Sequence, residues 1–216
     1  MICLILLIKF LPEMYLAMIN VDKMDVSAPY DTFKKYYEEA KKKEQKIIEA
    51  ISISSYDKKN SIVDSRFVNL KYVINDEWIF FTNYNSPKSI QFKSHEQISA
   101  LIFWNSTNVQ IRMKAKIQKT NSEFSNKHFQ SRDASKNLLA IMSKQSEPIT
   151  SYNDFLTNYE RNLTLNSNIN TRPEYWGGFS FSPYYFEFWE GHESRINRRE
   201  VYNKNDGVWK HSFLQP

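Results

Sequence analysis

The sequence predicts a single antiparallel α+β domain, and three observations carry that prediction. β-rich runs cluster towards the front and the back of the chain, with helical patterns between and around them. One segment, Val109, Ile111, Met113, Ala115 and Ile117, alternates apolar with polar residues without a break, as a half-buried strand does. The third observation is a shortage. The 216 residues hold only four glycines, Gly177, Gly178, Gly191 and Gly207. No glycine-rich phosphate loop can be written anywhere, which excludes the two commonest nucleotide-binding designs.

Taken in order, the chain opens with an apolar stretch, residues 1–19, interrupted by Lys9, Pro12 and Glu13. Its longest unbroken run is far short of the ~20 residues of a membrane-spanning helix, and no basic segment precedes it as in a secretory signal. With Met14, Met18 and Met24 as later starts, residues 1–24 are expected to be an extension outside the fold. An over-extended start codon is the preferred explanation and a membrane-touching tail the alternative. Residues 25–216 are expected to form one cytoplasmic domain. Pro29 opens a helix, with Phe33, Tyr36, Tyr37 and Ala40 on one face. The period changes from Ala50: Ile51 and Ile53 alternate with Ser, Phe67 to Ile74 is β-rich, and Trp78 to Thr82 is a short aromatic strand. Asn83 to Pro87 is turn chemistry, followed by a short helix from Lys88 to Lys93. Ala100 to Trp104 and the alternating segment from Val109 follow as strands. Helices are expected over Ser122–Arg132 and around Tyr152, Phe155, Leu156, Tyr159 and Leu163, then a polar connection over 166–172. Phe179 to Trp189 reads as two strand runs around Pro183, and Val201-Tyr202 and Val208 to Leu214 close the chain as strands.

A hydrophobic content of 41% with 15% aromatics marks an ordered globular protein. The net charge of +5 suits nucleic acid, an anionic membrane or a phosphorylated small ligand. No nucleic-acid motif accompanies it, and the lysine runs at 34–35 and 41–43 read as solvated helix faces, so neither nucleic acid nor membrane is expected as a partner. Cys3 is the only cysteine, and His95, His128, His192 and His211 are scattered. This rules out a disulfide framework and gives no reason to expect a metal.

The chemistry concentrates in Tyr175–Arg199, YWGGFSFSPYYFEFWEGHESRINRR. The paired glycines after Trp176 suit a tight turn or the close approach of a flat ligand. Phe186-Glu187-Phe188-Trp189 supplies aromatic surface, and Arg195, Arg198 and Arg199 supply clustered guanidinium groups. A planar, phosphate-bearing cofactor needs both. A core strand followed by a solvated basic loop is the plainer alternative.

The order WGG, EFW, Gly and then Arg195-x-x-x-Arg199 resembles the C-terminal signature of the pyridoxamine 5′-phosphate oxidase family, and the likeness runs from about Pro29 to Pro216. The resemblance implies an antiparallel split β-barrel with surrounding helices, FMN as cofactor and a homodimer with FMN at its interface. Arg66-Phe67-Val68-Asn69-Leu70-Lys71 resembles the first flavin segment. Strand alternation would put Arg66 and Lys71 on opposite faces, Arg66 towards the flavin phosphate and Lys71 towards the substrate. Phe81-Thr82 with Lys88 resembles the second segment, with Pro87 in place of the first cation of a basic pair. Gln110, Gln145 and Ser146 match flavin contacts, and Trp189 and Arg199 match contacts from the second subunit. Lys71, Arg132 and Arg195 match binders of a phosphorylated substrate. Three positions depart from the pattern: His128 replaces a Tyr, Lys136 a Ser, and Asn197 a His beside the reacting ring.

The implied reaction oxidises pyridoxamine or pyridoxine 5′-phosphate, with O₂ as acceptor, and Arg195 and Asn197 beside the reacting ring as the catalytic pair. Two alternatives stay open. One is a paralogue acting on another reduced aromatic, since the tail Trp209 to Pro216 resembles the phenazine-biosynthesis flavin oxidases. The other is a non-catalytic protein that binds FMN or pyridoxal phosphate.

Overall fold

The structure, a computed structural model, describes residues 18–165 and 169–216. The apolar opening segment, residues 1–17, lies outside them. The elements are β1 (Asn20–Met24), α1 (Ala28–Lys42), β2 (Ala50–Asp57), β3 (Ile62–Asn75), β4 (Glu77–Asn83), α2 (Pro87–Ser94) and β5 (Gln97–Trp104). They continue with β6 (Val109–Lys119), α3 (Ser122–Gln130), α4 (Ala134–Met142), α5 (Tyr152–Leu165), β7 (Trp176–Glu190), β8 (Arg198–Asn205) and β9 (Val208–Leu214).

Six strands close into a ring, β3–β2–β5–β6–β7–β4 and back to β3, through antiparallel ladders. Closure leaves none of the six with an open edge along the ring. The barrel is split because β7 changes partner midway. Trp176 to Phe181 pairs with β4 and Tyr185 to Glu190 with β8, while β6 runs beside both halves. Pro183 sits at the changeover, where the register with β6 slips between Lys114 and Ala115. Proline has no N–H to give a ladder, so it is tolerated there. The two runs expected around Pro183 are therefore one strand with two partners.

The core is aromatic. Val109, Ile111, Met113, Ala115 and Ile117 all point inward, as their alternation predicted, and meet Trp78, Phe80, Phe179, Phe181, Phe186 and Phe188 from the neighbouring strands. Helix α1 lays Tyr30, Phe33, Tyr36, Tyr37 and Ala40 on this core, with Phe33 edge-on to Trp78 at 4.6 Å between ring centroids. Each such ring contributes about 1.5–3 kcal/mol by leaving water.

Three expectations need correction. Gly177 and Gly178 do not form a turn. They are strand residues of β7, where a Cβ at Gly177 would overlap the Tyr84 hydroxyl and one at Gly178 would meet Thr120. The sheet also begins before residue 25, since Asn20–Met24 pairs with β3 in parallel. The short helix α4 was not expected at all. Among the described residues no helix is long and apolar enough to cross a membrane, and no group of three or more His, Cys, Asp or Glu residues could hold a metal.

Candidate active site

A cavity of about 790 Å³ opens on the flank of the barrel, bounded by β3, β4, the start of α2, the α3–α4 corner and the segment after α4. From the expected flavin set it gathers Arg66, Phe67, Val68, Phe81, Thr82, Lys88, Gln145 and Ser146, and from the expected substrate set Lys71, His128, Arg132 and Lys136. Its volume is in the range of sites for large organic ligands.

One side of the cavity gathers buried positive charge. Ser86 precedes α2, and its hydroxyl donates to the Asn83 carbonyl at 2.7 Å. The Lys88 ammonium donates to Ser86 Oγ at 3.1 Å and, among the described residues, has no carboxylate in ion-pair contact. Burial, and then the Arg66 charge, pull its pKa from 10.5 down to about 8. Arg66 is tied down by Asp64, Ser55, Gln91 and the Ile53 carbonyl. Two cations thus sit near each other with Asp64 as their acidic neighbour, so a bound anion would relieve both. Beside them, Gln145 Oε1 accepts from the Thr82 hydroxyl (3.0 Å) and the Asn83 N–H (3.2 Å). Ser146 has a φ of 72°, a left-handed conformation uncommon outside glycine and one found at ligand clamps.

The other side carries the remaining cations over an aromatic floor. Arg66 and Lys71 were expected on opposite faces, yet both line this cavity. The reason is a bulge: Leu70 pairs with Phe80 and Tyr72 with Ile79, so Lys71 is an extra residue and alternation slips by one. Burial lowers the Lys71 pKa, Glu49 opposes the shift, and Lys136 and Arg132 add to it. Arg132 lies over Trp176 at 4.4 Å from the ring centroid, and its Nη1 is buried without a partner. Lys136 is exposed and paired with Asp133 at 2.7 Å. His128 stacks on Phe81 at 3.7 Å with an interplanar angle of 10°, and Trp176 is parallel to both.

Five expected residues are not in the cavity of their own chain. Gln110, Trp189 and Arg199 form one cross-strand row on β6, β7 and β8. Below it the buried Glu187 carboxylate accepts from Arg199 Nε (2.9 Å), Arg112 Nη1 (2.8 Å) and the Tyr185 hydroxyl (2.9 Å). This fixes Arg199, and it occupies Arg112, which shares a strand face with Gln110. Arg195 and Asn197 lie in the β7–β8 loop. Arg195 has a φ of 61°, and the Asn197 side-chain carbonyl accepts the His192 N–H at 3.0 Å.

The sequence reading missed two cavity residues and a third that packs behind one of the cavity's side chains. Trp176 was seen only as a neighbour of the glycines. Glu49 was not considered, yet it lines the cavity with Oε2 buried and unpartnered. Tyr72 was passed over inside a strand, though its hydroxyl meets His128 Nδ1 at 2.9 Å. Spacing carries no signal for such pairs, which the bulge and the α3 corner bring together.

A split antiparallel barrel with a basic, aromatic-floored cavity on its flank is the architecture of the flavin-binding oxidase class. Comparison with known proteins gives the particular family. A family profile described as the pyridoxine 5′-phosphate oxidase C-terminal dimerisation region matches residues 176–216. A pyridoxine/pyridoxamine 5′-phosphate oxidase of Hydrogenovibrio crunogenus is 34% identical over 191 residues, covering 87% of this chain and 88% of its own. A second, from Pelagibacter ubique, is 34% identical over 199 residues, covering 91% and 94%. PhzG from Burkholderia lata, solved with tetrahydrophenazine-1-carboxylic acid, shares the fold at a TM-score of 0.82 and 22% identity, over 88% of this chain and 93% of that one. The chain belongs to the pyridoxine/pyridoxamine 5′-phosphate oxidase family, and its class is that of the FMN-dependent oxidoreductases.

Proposed function

We propose that the protein oxidises pyridoxine or pyridoxamine 5′-phosphate to pyridoxal 5′-phosphate using FMN. The observation that carries this reading is the pairing of two cationic groups in one cavity. Arg66 and Lys88 suit the flavin phosphate, and Lys71, Arg132 and Lys136 suit the phosphate of a substrate. The depressed pKa of Lys88 supports the first assignment, because its charge is buried beside a like charge and a phosphate would offset that. The unpartnered Arg132 Nη1 supports the second.

FMN, when bound, would supply the two-electron acceptor for oxidation of the substrate carbon, with O₂ as the final acceptor and hydrogen peroxide as its product. The chain's own residues do the rest. Thr82, Gln145 and Ser146 would hold the flavin, and the Phe81–His128–Trp176 floor would exclude water and fix the plane of an aromatic ring. Asn197, in the place of a histidine, can hydrogen-bond near the reacting carbon but cannot change charge near neutral pH.

The site is completed by a second copy of the chain. Gln110, Trp189, Arg195, Asn197 and Arg199 face away from the cavity of their own barrel, and all but Gln110 fall within the matched dimerisation region. In the homodimer we propose, Trp189, Arg195, Asn197 and Arg199 of one copy close the cavity of the other.

The test is anaerobic. The FMN-loaded protein is mixed with pyridoxine 5′-phosphate, and the flavin absorbance near ~450 nm, a property of the cofactor, is followed. Bleaching that air reverses, with pyridoxal 5′-phosphate formed, is the expected result. A bound flavin that stays yellow with this substrate would refute the assignment and favour another reduced aromatic as substrate.

A further inference from the structure

Tyr72 is not among the residues that line the cavity, but it packs against two that are, Phe81 and His128. Its ring stands edge-on to Phe81, Phe124 and His128, at 6.3, 5.3 and 5.4 Å between centroids. Its hydroxyl meets His128 Nδ1 at 2.9 Å and makes no other hydrogen bond recorded among the described residues. Two arrangements of protons fit that contact. If Nδ1–H donated to the tyrosine oxygen, the hydroxyl proton would need a second acceptor, and no other side chain or carbonyl among the described residues takes it. If the hydroxyl donates to Nδ1, one bond satisfies both atoms, which is the less costly choice in a half-buried site.

We propose that Tyr72 is a positioning residue that locks His128 in the Nε2–H tautomer, so that the imidazole presents a neutral N–H to the phosphate-bearing end of the substrate. The environment favours a neutral donor here. Lys71, Arg132 and Lys136 already line the same cavity, and burial together with the charges of Arg132 and Lys71 drives the His128 pKa down to about 3. A fourth cation would be repelled by its neighbours, whereas a neutral N–H adds a directed hydrogen bond without that cost. Stacking on Phe81 fixes the plane of the ring, and the Tyr72 bond fixes which nitrogen bears the proton. The role of the donated N–H rests on the phosphorylated substrate proposed above; the tautomer does not.

The experiment separates the two. FMN-loaded protein labelled with ¹⁵N-histidine is recorded by long-range ¹H–¹⁵N correlation from pH 5 to 8, with His128 assigned by the signal missing in His128→Gln. The expected result is a single neutral tautomer, protonated at Nε2, across the range. In Tyr72→Phe that signal should change to a tautomer mixture, and KM for pyridoxine 5′-phosphate should rise about tenfold with kcat within about twofold. An Nδ1–H tautomer in the wild-type protein, which needs no variant to fold, would overturn the proposal. So would a His128 tautomer that ignores the loss of the Tyr72 hydroxyl. If the tautomer behaves as expected while the wild-type protein does not turn over pyridoxine 5′-phosphate, the positioning role stands and the substrate assignment falls.

Discussion

Replacing Lys88 by methionine should make the flavin-free protein more stable and a poorer flavin binder. Lys88 is only 7% exposed, and its pKa falls from 10.5 to about 8 through burial and the nearby Arg66. Keeping that ammonium charged at neutral pH costs the fold at most roughly 3 kcal/mol. Methionine keeps the apolar stem and removes the charge. It also removes the 3.1 Å bond to Ser86 Oγ, worth about 1 kcal/mol, but that hydroxyl keeps the Asn83 carbonyl and Ser89 as partners. The net gain should be about 1–2 kcal/mol, read from urea unfolding without FMN at pH 7. The pH dependence has a definite sign. The folded pKa lies below the unfolded one, so the penalty is complete below pH 8 and fades as the pH climbs towards 10.5. The two unfolding curves should therefore converge on the alkaline side. With FMN present the order reverses. Loss of a charge-assisted bond to phosphate, about 1.5–3 kcal/mol, should weaken flavin binding ten- to a hundredfold in a fluorescence titration. Lys71→Met should weaken it far less. A flavin-free Lys88→Met protein less stable than wild type, or equal FMN affinity in the two variants, would refute the reasoning.

Other expectations follow from the same geometry. Asn197→His should raise turnover of pyridoxine 5′-phosphate by restoring an imidazole in the β7–β8 loop; no gain in a variant that still binds FMN would point to a different substrate. Glu187→Gln should cost about 2–3 kcal/mol, since Arg112 and Arg199 lose a buried carboxylate, and the urea midpoint should fall accordingly. An unchanged midpoint would mean that both guanidinium groups find water instead. His128→Gln should flatten the acid limb of the stability curve. The folded pKa of His128, about 3, lies below its ordinary value of 6.5. The unfolded chain therefore takes up the proton first, and stability falls by about 1–2 kcal/mol between pH 7 and 5 in the wild type. Equal slopes in the two proteins would contradict a buried, neutral His128.

Much of the fold was legible because its signals are local. The α1 face and the β6 alternation are written at fixed spacings, and both came out as read. The flavin and substrate residues expected on β3, β4, α2 and α3 do converge on one cavity, because runs such as Ser143 to Ser146 keep their order. What stayed hidden depends on contacts across the chain. Helix α4 is only nine residues long, and the buried Asn137 amide donating to the Phe129 carbonyl fixes its place against α3. The glycine pair looked like a turn because the residues that demand it, Tyr84 and Thr120, lie far away in sequence. Tyr72 and His128, 56 positions apart, share no pattern that spacing could reveal.

The extra residue at Lys71 reaches beyond the cavity. Up to Leu70 the even positions of β3 turn towards the core, and after it the odd ones do, so Leu70 and Val73 are both fully buried although three apart. A substitution profile of this strand would thus show two rhythms of tolerance joined out of step. Removing Lys71 itself would bring them into one rhythm and leave Tyr72 and Val73 on the faces they now hold, at the loss of the one strand residue that carries an ammonium to the cavity. The length of β3, as much as its composition, is a constraint on what this chain can become.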